Sequence, residues 1–164
     1  MRYTHAAVLA ALLLALLLPV PVHAGAITPC GLVNPSFEAF DDFGHPIGWN
    51  GGHATDHTGW MGKVPDGKAY GYAVEEPMTQ DVPVDIGSSY SLIFWSGSHA
   101  PGHQTVELAY LDKDGYLIQS QVHTITTDVD ESPKILGGPY GLSLPAAPAN
   151  ADRLRVMVDA HGVD

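Results

Sequence analysis

Two histidine pairs are the first residues whose types and spacing point to chemistry: His53 with His57, and His99 with His103. On a helix this i, i+4 spacing puts both imidazoles on one face, the arrangement of many zinc sites. Both pairs are set among Gly, Pro, Asp and Thr, so they read as loop residues and the helical argument does not apply. Solvated loop histidines are the expected state, with convergence of the two loops on a transition metal as the alternative. Carboxylate chemistry finds less support. A glycosidase needs two carboxyl groups about 5–10 Å apart. Glu75 and Glu76 are adjacent and point opposite ways in an extended chain, and Glu107 faces away from the apolar side of its segment. Gly97-Ser98-His99 lacks the strand–turn–helix setting of a nucleophile elbow. The chain therefore reads as non-catalytic.

The elements that position these residues read as strands. Ser89 to Trp95 is aliphatic, aromatic and β-branched, and follows the turn Asp85-Ile86-Gly87-Ser88. Within it Tyr90, Leu92 and Phe94 share one face, and Ser91, Ile93 and Trp95 the other. Thr105 to Leu111 alternates Val106, Leu108 and Tyr110 against Glu107 and Ala109. Asp112-Lys113-Asp114-Gly115 is then a hairpin turn, and Tyr116 to Thr126 returns as the next strand. Leu154 to Ala160 alternates Leu154, Val156 and Val158 against Arg155, Met157 and Asp159. No useful helical periodicity occurs outside the N-terminal segment. The expected fold is all-β, an antiparallel β-sandwich of jelly-roll type.

Residues 1–24 have the form of a signal peptide: Arg2, an apolar run from Ala6 to Val20, and Val22-His23-Ala24 before the cleavage point. The run is shorter than the ~20 residues that span a bilayer, and Pro19 and Pro21 interrupt its end. The expected mature protein is one domain, 25–164, secreted, periplasmic or on the cell surface, with no membrane insertion after cleavage. Seven basic against 18 acidic residues give a net charge of −11. That field disfavours nucleic acid and anionic membranes and suits a neutral polymer or a cation. The single cysteine, Cys30, is a buried free thiol, an intermolecular link, or half of a bridge whose partner is not in this chain.

Asn34-Pro35-Ser36-Phe37-Glu38, then Gly48-Trp49, Gln80-Asp81-Val82-Pro83-Val84 and Gly87 to Trp95 resemble, in that order, the jelly-roll carbohydrate-binding modules. These belong to the galactose-binding-like superfamily, and the nearest likeness is to the cellulose- and xylan-binding type. Val106 to Gly115 and Pro145 to Val156 resemble that family's middle hairpin and penultimate strand. The resemblance implies a non-catalytic module that binds polysaccharide by stacking sugar rings on exposed aromatics. Trp95 and Trp60 are the first candidates, followed by Tyr70 and Tyr72, which flank Gly71 and share a face. Cross-strand packing is the competing reading of the tyrosine pair. Trp49 is expected to be structural. The resemblance also implies a structural calcium at Glu38, with Asp66 as a further ligand, since calcium needs six to eight oxygens. A final acidic strand beyond Gly162-Val163-Asp164 is expected to be missing, and such a strand is one place for a partner of Cys30. The rival reading is a structural or adhesive extracellular domain with no glycan ligand.

Overall fold

A computed structural model of the chain describes residues 31–56, 67–73, 76–96, 102–127 and 137–162. Eight strands occur among them: β1 (His53–Asp56), β2 (Ala69–Tyr72), β3 (Met78–Pro83), β4 (Tyr90–Ser96), β5 (Gly102–Leu111), β6 (Leu117–Thr127), β7 (Gly137–Leu144) and β8 (Arg153–Gly162). All pairings are antiparallel. One sheet has the order β3-β8-β5-β6; β4-β7 and β1-β2 form two-stranded sheets.

The core lies between the four-stranded sheet and β4-β7. Val106, Leu108 and Tyr110 of β5 pair across to Val158, Val156 and Leu154 of β8, and β3 adds Val82. Tyr90 of β4 and Leu142 and Leu144 of β7 face them. This is a β-sandwich, and the period-2 patterns of β5 and β8 turn their apolar phases inward as the sequence predicts. Tyr110 is fully buried, and its hydroxyl donates to the Pro145 carbonyl at 2.7 Å, which satisfies the one polar atom it carries inside. On the β6 side Phe94, His123 and Tyr140 close the layers, with His123 and Tyr140 ring centroids 4.5 Å apart.

The hairpin between β5 and β6 forms as read. Asp112 Oδ1 accepts the Asp114 and Tyr116 N–H groups, each at 2.9 Å, and Gly115 takes the positive φ of 86° that the turn requires.

The outer face of the four-stranded sheet is charged. Arg155 makes a two-pronged contact to Asp81 at 2.7 and 2.8 Å, and Arg153 lies 3.5 Å from the same carboxylate. The Asp81 hydrogen bond, opposed by burial and aided by the charges of Asp81 and Glu107, holds the Arg155 guanidinium above its usual range. Asp81 is thus shared between two guanidinium groups.

Candidate functional site

The opening motif is built to hold backbone. Asn34, at φ 52°, donates from Nδ2 to the Ala39 and Ile47 carbonyls at 2.6 and 3.2 Å, and its Oδ1 accepts the Ala39 N–H at 3.0 Å. Its own carbonyl accepts the Trp49 indole N–H at 3.3 Å. Phe37 packs on Trp49 with ring centroids 5.1 Å apart, and its ring occupies the space beside Gly71 that any Cβ there would need. Trp49 is thus structural. Buried Gln80 completes the seam: Oε1 accepts the Val33 N–H at 2.7 Å, and Nε2 donates to the Val33 and Gly48 carbonyls at 3.0 and 2.8 Å. Sequence reasoning gave Gln80 no role; a buried Gln in an otherwise apolar strand phase is the signal that marks it.

Glu38 belongs to the same seam. Its Oε1 accepts the Lys68 and Ala69 N–H groups, both at 2.7 Å, which fastens the start of β2. Both are charge-assisted hydrogen bonds to one carboxylate oxygen. Among the described residues no group of three or more His, Cys, Asp or Glu side chains is placed to hold a metal ion. Asp66, the companion of Glu38 in the expected calcium site, lies outside the described residues.

The aromatic candidates that fall among the described residues lie on two surfaces. The first is a row of rings along β1-β2 and the loop before them. Asp41 Oδ1 accepts the Phe43 and His45 N–H groups at 2.9 Å, which turns the chain, and the Ala54 N–H bonds the Gly44 carbonyl at 2.7 Å, which lays that turn against β1. These bonds hold the Asp41 carboxyl below its usual range; the His45 N–H has the largest effect, and the nearby His45 side chain adds to it. Phe43, His45, His53, Tyr72 and Tyr70 then follow one another with ring centroids 5.3 to 6.4 Å apart. Phe43 is 81% exposed, while Tyr70 and Tyr72 are half-buried. Burial, with Tyr72 alongside, pushes the Tyr70 phenol up. His53 is the register partner of Tyr72, so cross-strand packing accounts for that part of the row. His45 and Phe43 are members that the sequence did not announce.

The second surface is the outer face of β4-β7. Ile93 is 67% and Trp95 43% exposed. Ser91 and Ser143 share a hydroxyl contact of 2.9 Å beside them, and Gly141, opposite Ile93, leaves open space where a side chain would stand. The Trp95 indole edge lies over Gly138, where a Cβ would come within 3.1 Å of Cδ1. Neither strand contains Asp, Glu, Lys or Arg. Trp95 thus lies on the face opposite the core, as the alternation of its strand predicts.

The histidine pairs divide differently from the sequence reading. His53 is in β1 and His103 in β5, so both are strand residues, not loop residues. Their strands give each a local partner: His53 stacks on Tyr72, and His103 Nδ1 lies 3.1 Å from Thr126 Oγ1. Trp60, His57 and His99 lie outside the described residues, as does Cys30.

No family model and no curated protein matches the chain. Among solved structures it is similar to the enzymatically active domain of tailspike protein 4 of bacteriophage CBA120, with 15% identity and a TM-score of 0.48. That alignment covers 74% of this chain and 18% of the tailspike chain.

Proposed function

We propose that this chain is a secreted, non-catalytic carbohydrate-binding module. The observation that carries the reading is the outer face of β4-β7, where Ile93 and Trp95 of β4 are exposed and neither strand carries a formal charge, in a chain of net charge −11. A pyranose ring offers an apolar face of C–H groups, and a half-exposed indole on a sheet face is a complementary surface. Hydroxyls of Ser91 and Ser143, beyond Ile93 on the same face, supply donors and acceptors for a neighbouring ring of the polymer. An uncharged platform in an acidic protein favours neutral polymers over uronate-bearing ones. The β1-β2 ring row, with Tyr70 and Tyr72, is the second surface that such a polymer would meet.

Native affinity electrophoresis through gels containing neutral and acidic soluble polysaccharides tests this, run with calcium and with chelator. Retardation by neutral polymers is the expected result. Calcium dependence of that retardation would support a cation at Glu38 and Asp66. Folded protein that migrates identically through every gel would refute the reading and leave the structural or adhesive domain.

A further inference from the structure

Glycine in the body of a strand has no side chain to pack and loses more backbone freedom on folding than any other residue, so it usually has a local cause. Four strand glycines show one. A Cβ at Gly71 would meet the Phe37 ring, and one at Gly137 the Tyr140 hydroxyl. Gly102 and Gly138 take φ of 154° and 121°. Gly141 of β7 shows neither cause. Its φ is not positive, it is exposed, and a Cβ built on it would meet nothing within 4 Å among the described residues. The register shift between β4 and β7 falls between Phe94 and Ser96, away from Gly141. Its cross-strand partner is Ile93, 67% exposed. A β-branched side chain at this position would give the sheet a favourable cross-strand pair without a clash. Sheet stability therefore argues against glycine here, and close approach of another molecule is the remaining reason for one in a strand.

The position of Gly141 indicates what approaches. On the outer face of β4-β7, Ile93 and Gly141 stand side by side, midway between Trp95 and the Ser91–Ser143 hydroxyl contact. Trp95 and Ser91 are about 13 Å apart along the strand, room for more than one pyranose ring. Neither strand carries a formal charge. A ring stacked on the Trp95 indole then has its neighbour in a polymer over Ile93 and Gly141, where the absent side chain leaves a notch beside the isoleucine. Resting on the carbohydrate reading above, we infer that Gly141 is a specificity-determining residue of that site. Its notch seats the second of two consecutive rings of a neutral, linear glycan, between the indole and the serine hydroxyls. A single free sugar fills only part of such a site.

The test is native affinity electrophoresis of the parent, Gly141→Ala, Gly141→Val and Trp95→Ala through gels containing hydroxyethyl cellulose or glucomannan, with a thermal melt of each protein. Gly141→Val should melt at the parent's temperature or a few degrees above it. Its dissociation constant for the retarding polymer should rise about tenfold or more, with Gly141→Ala in between. Cellotetraose should compete with the polymer for the parent far better than glucose at the same concentration of sugar units. A folded Gly141→Val retained as strongly as the parent, beside a weakened Trp95→Ala, would overturn the notch and leave the carbohydrate reading standing. Glucose competing as well as cellotetraose would do the same, and a Gly141→Val that melts well below the parent would make the glycine structural. A parent retarded by neither polymer would also overturn the inference, and the carbohydrate reading falls with it only if the wider panel of polysaccharides fails too.

Discussion

Replacing Trp95 by Ala is the most direct probe of the proposed platform, because the structure sets its size. Trp95 is 43% exposed. With a full tryptophan burying up to roughly 250 Å², about 100 Å² of that side chain is open to a ligand. Covering all of it at about 25 cal/mol per Å² gives about 2.5 kcal/mol. A sugar ring lies on one face of the indole, so about half of that, or about 1.2 kcal/mol, is the expected contribution, which corresponds to a five- to tenfold weaker dissociation constant. The assay is isothermal titration with whichever neutral polymer retards the parent, beside a thermal melt of both proteins. Because Trp95 projects away from the Tyr90, Leu92 and Phe94 side of β4, the melt should change little while affinity falls. Trp95→Phe should recover part of the loss, since a smaller ring keeps the stacking geometry. Affinity unchanged within twofold, with the melt also unchanged, would refute the assignment of this face.

Glu38→Ala should lower stability to urea by about 1 kcal/mol by freeing the Lys68 and Ala69 N–H groups, whereas Glu38→Gln, which keeps an oxygen acceptor, should cost much less; equal losses would mean that charge, not acceptor geometry, is what the seam needs. Tyr110→Phe should cost about 1–2 kcal/mol in the same assay, since it strips the Pro145 carbonyl of its closest donor inside a packed core, and a neutral result would show that water replaces the hydroxyl. The Asp41 carboxyl is held below its usual range in the folded chain, so its contribution is present above the unfolded value and is lost as pH falls through the folded one. The stability gap between the parent and Asp41→Asn should therefore exist at neutral pH and close on acidification, which denaturant melts across that range would check.

How much of this was legible in the sequence depends on what each residue packs against. Val106, Leu108 and Tyr110, and Leu154, Val156 and Val158, could be assigned inward because a strand with one packed face keeps its alternation. That alternation fails at the end of β5, where Leu108 to Leu111 are all buried and the Asp152 N–H closes on the Leu111 carbonyl. β7 was not legible at all: Gly137-Gly138-Pro139 and Gly141 signal a turn, and only pairing with β4 and burial of Leu142 and Leu144 make it a strand. β1 and β2 are too short to show a period, so His53 read as a loop residue. The Phe37-Glu38 pair was legible as a motif but not as a mechanism. Its partners are backbone groups about 30 residues away, and no side-chain pattern advertises a carboxylate that clamps N–H groups.

Charge is what sets the β4-β7 face apart and makes ionic strength a test of it. The formal charges of the four-stranded sheet lie on β3, β5 and β8, where Asp81, Glu107 and Asp159 stand with Arg153 and Arg155, while β4 and β7 carry none. Stacking of a neutral polymer on β4-β7 releases no counterions and moves no charge, so its affinity should be nearly flat with ionic strength.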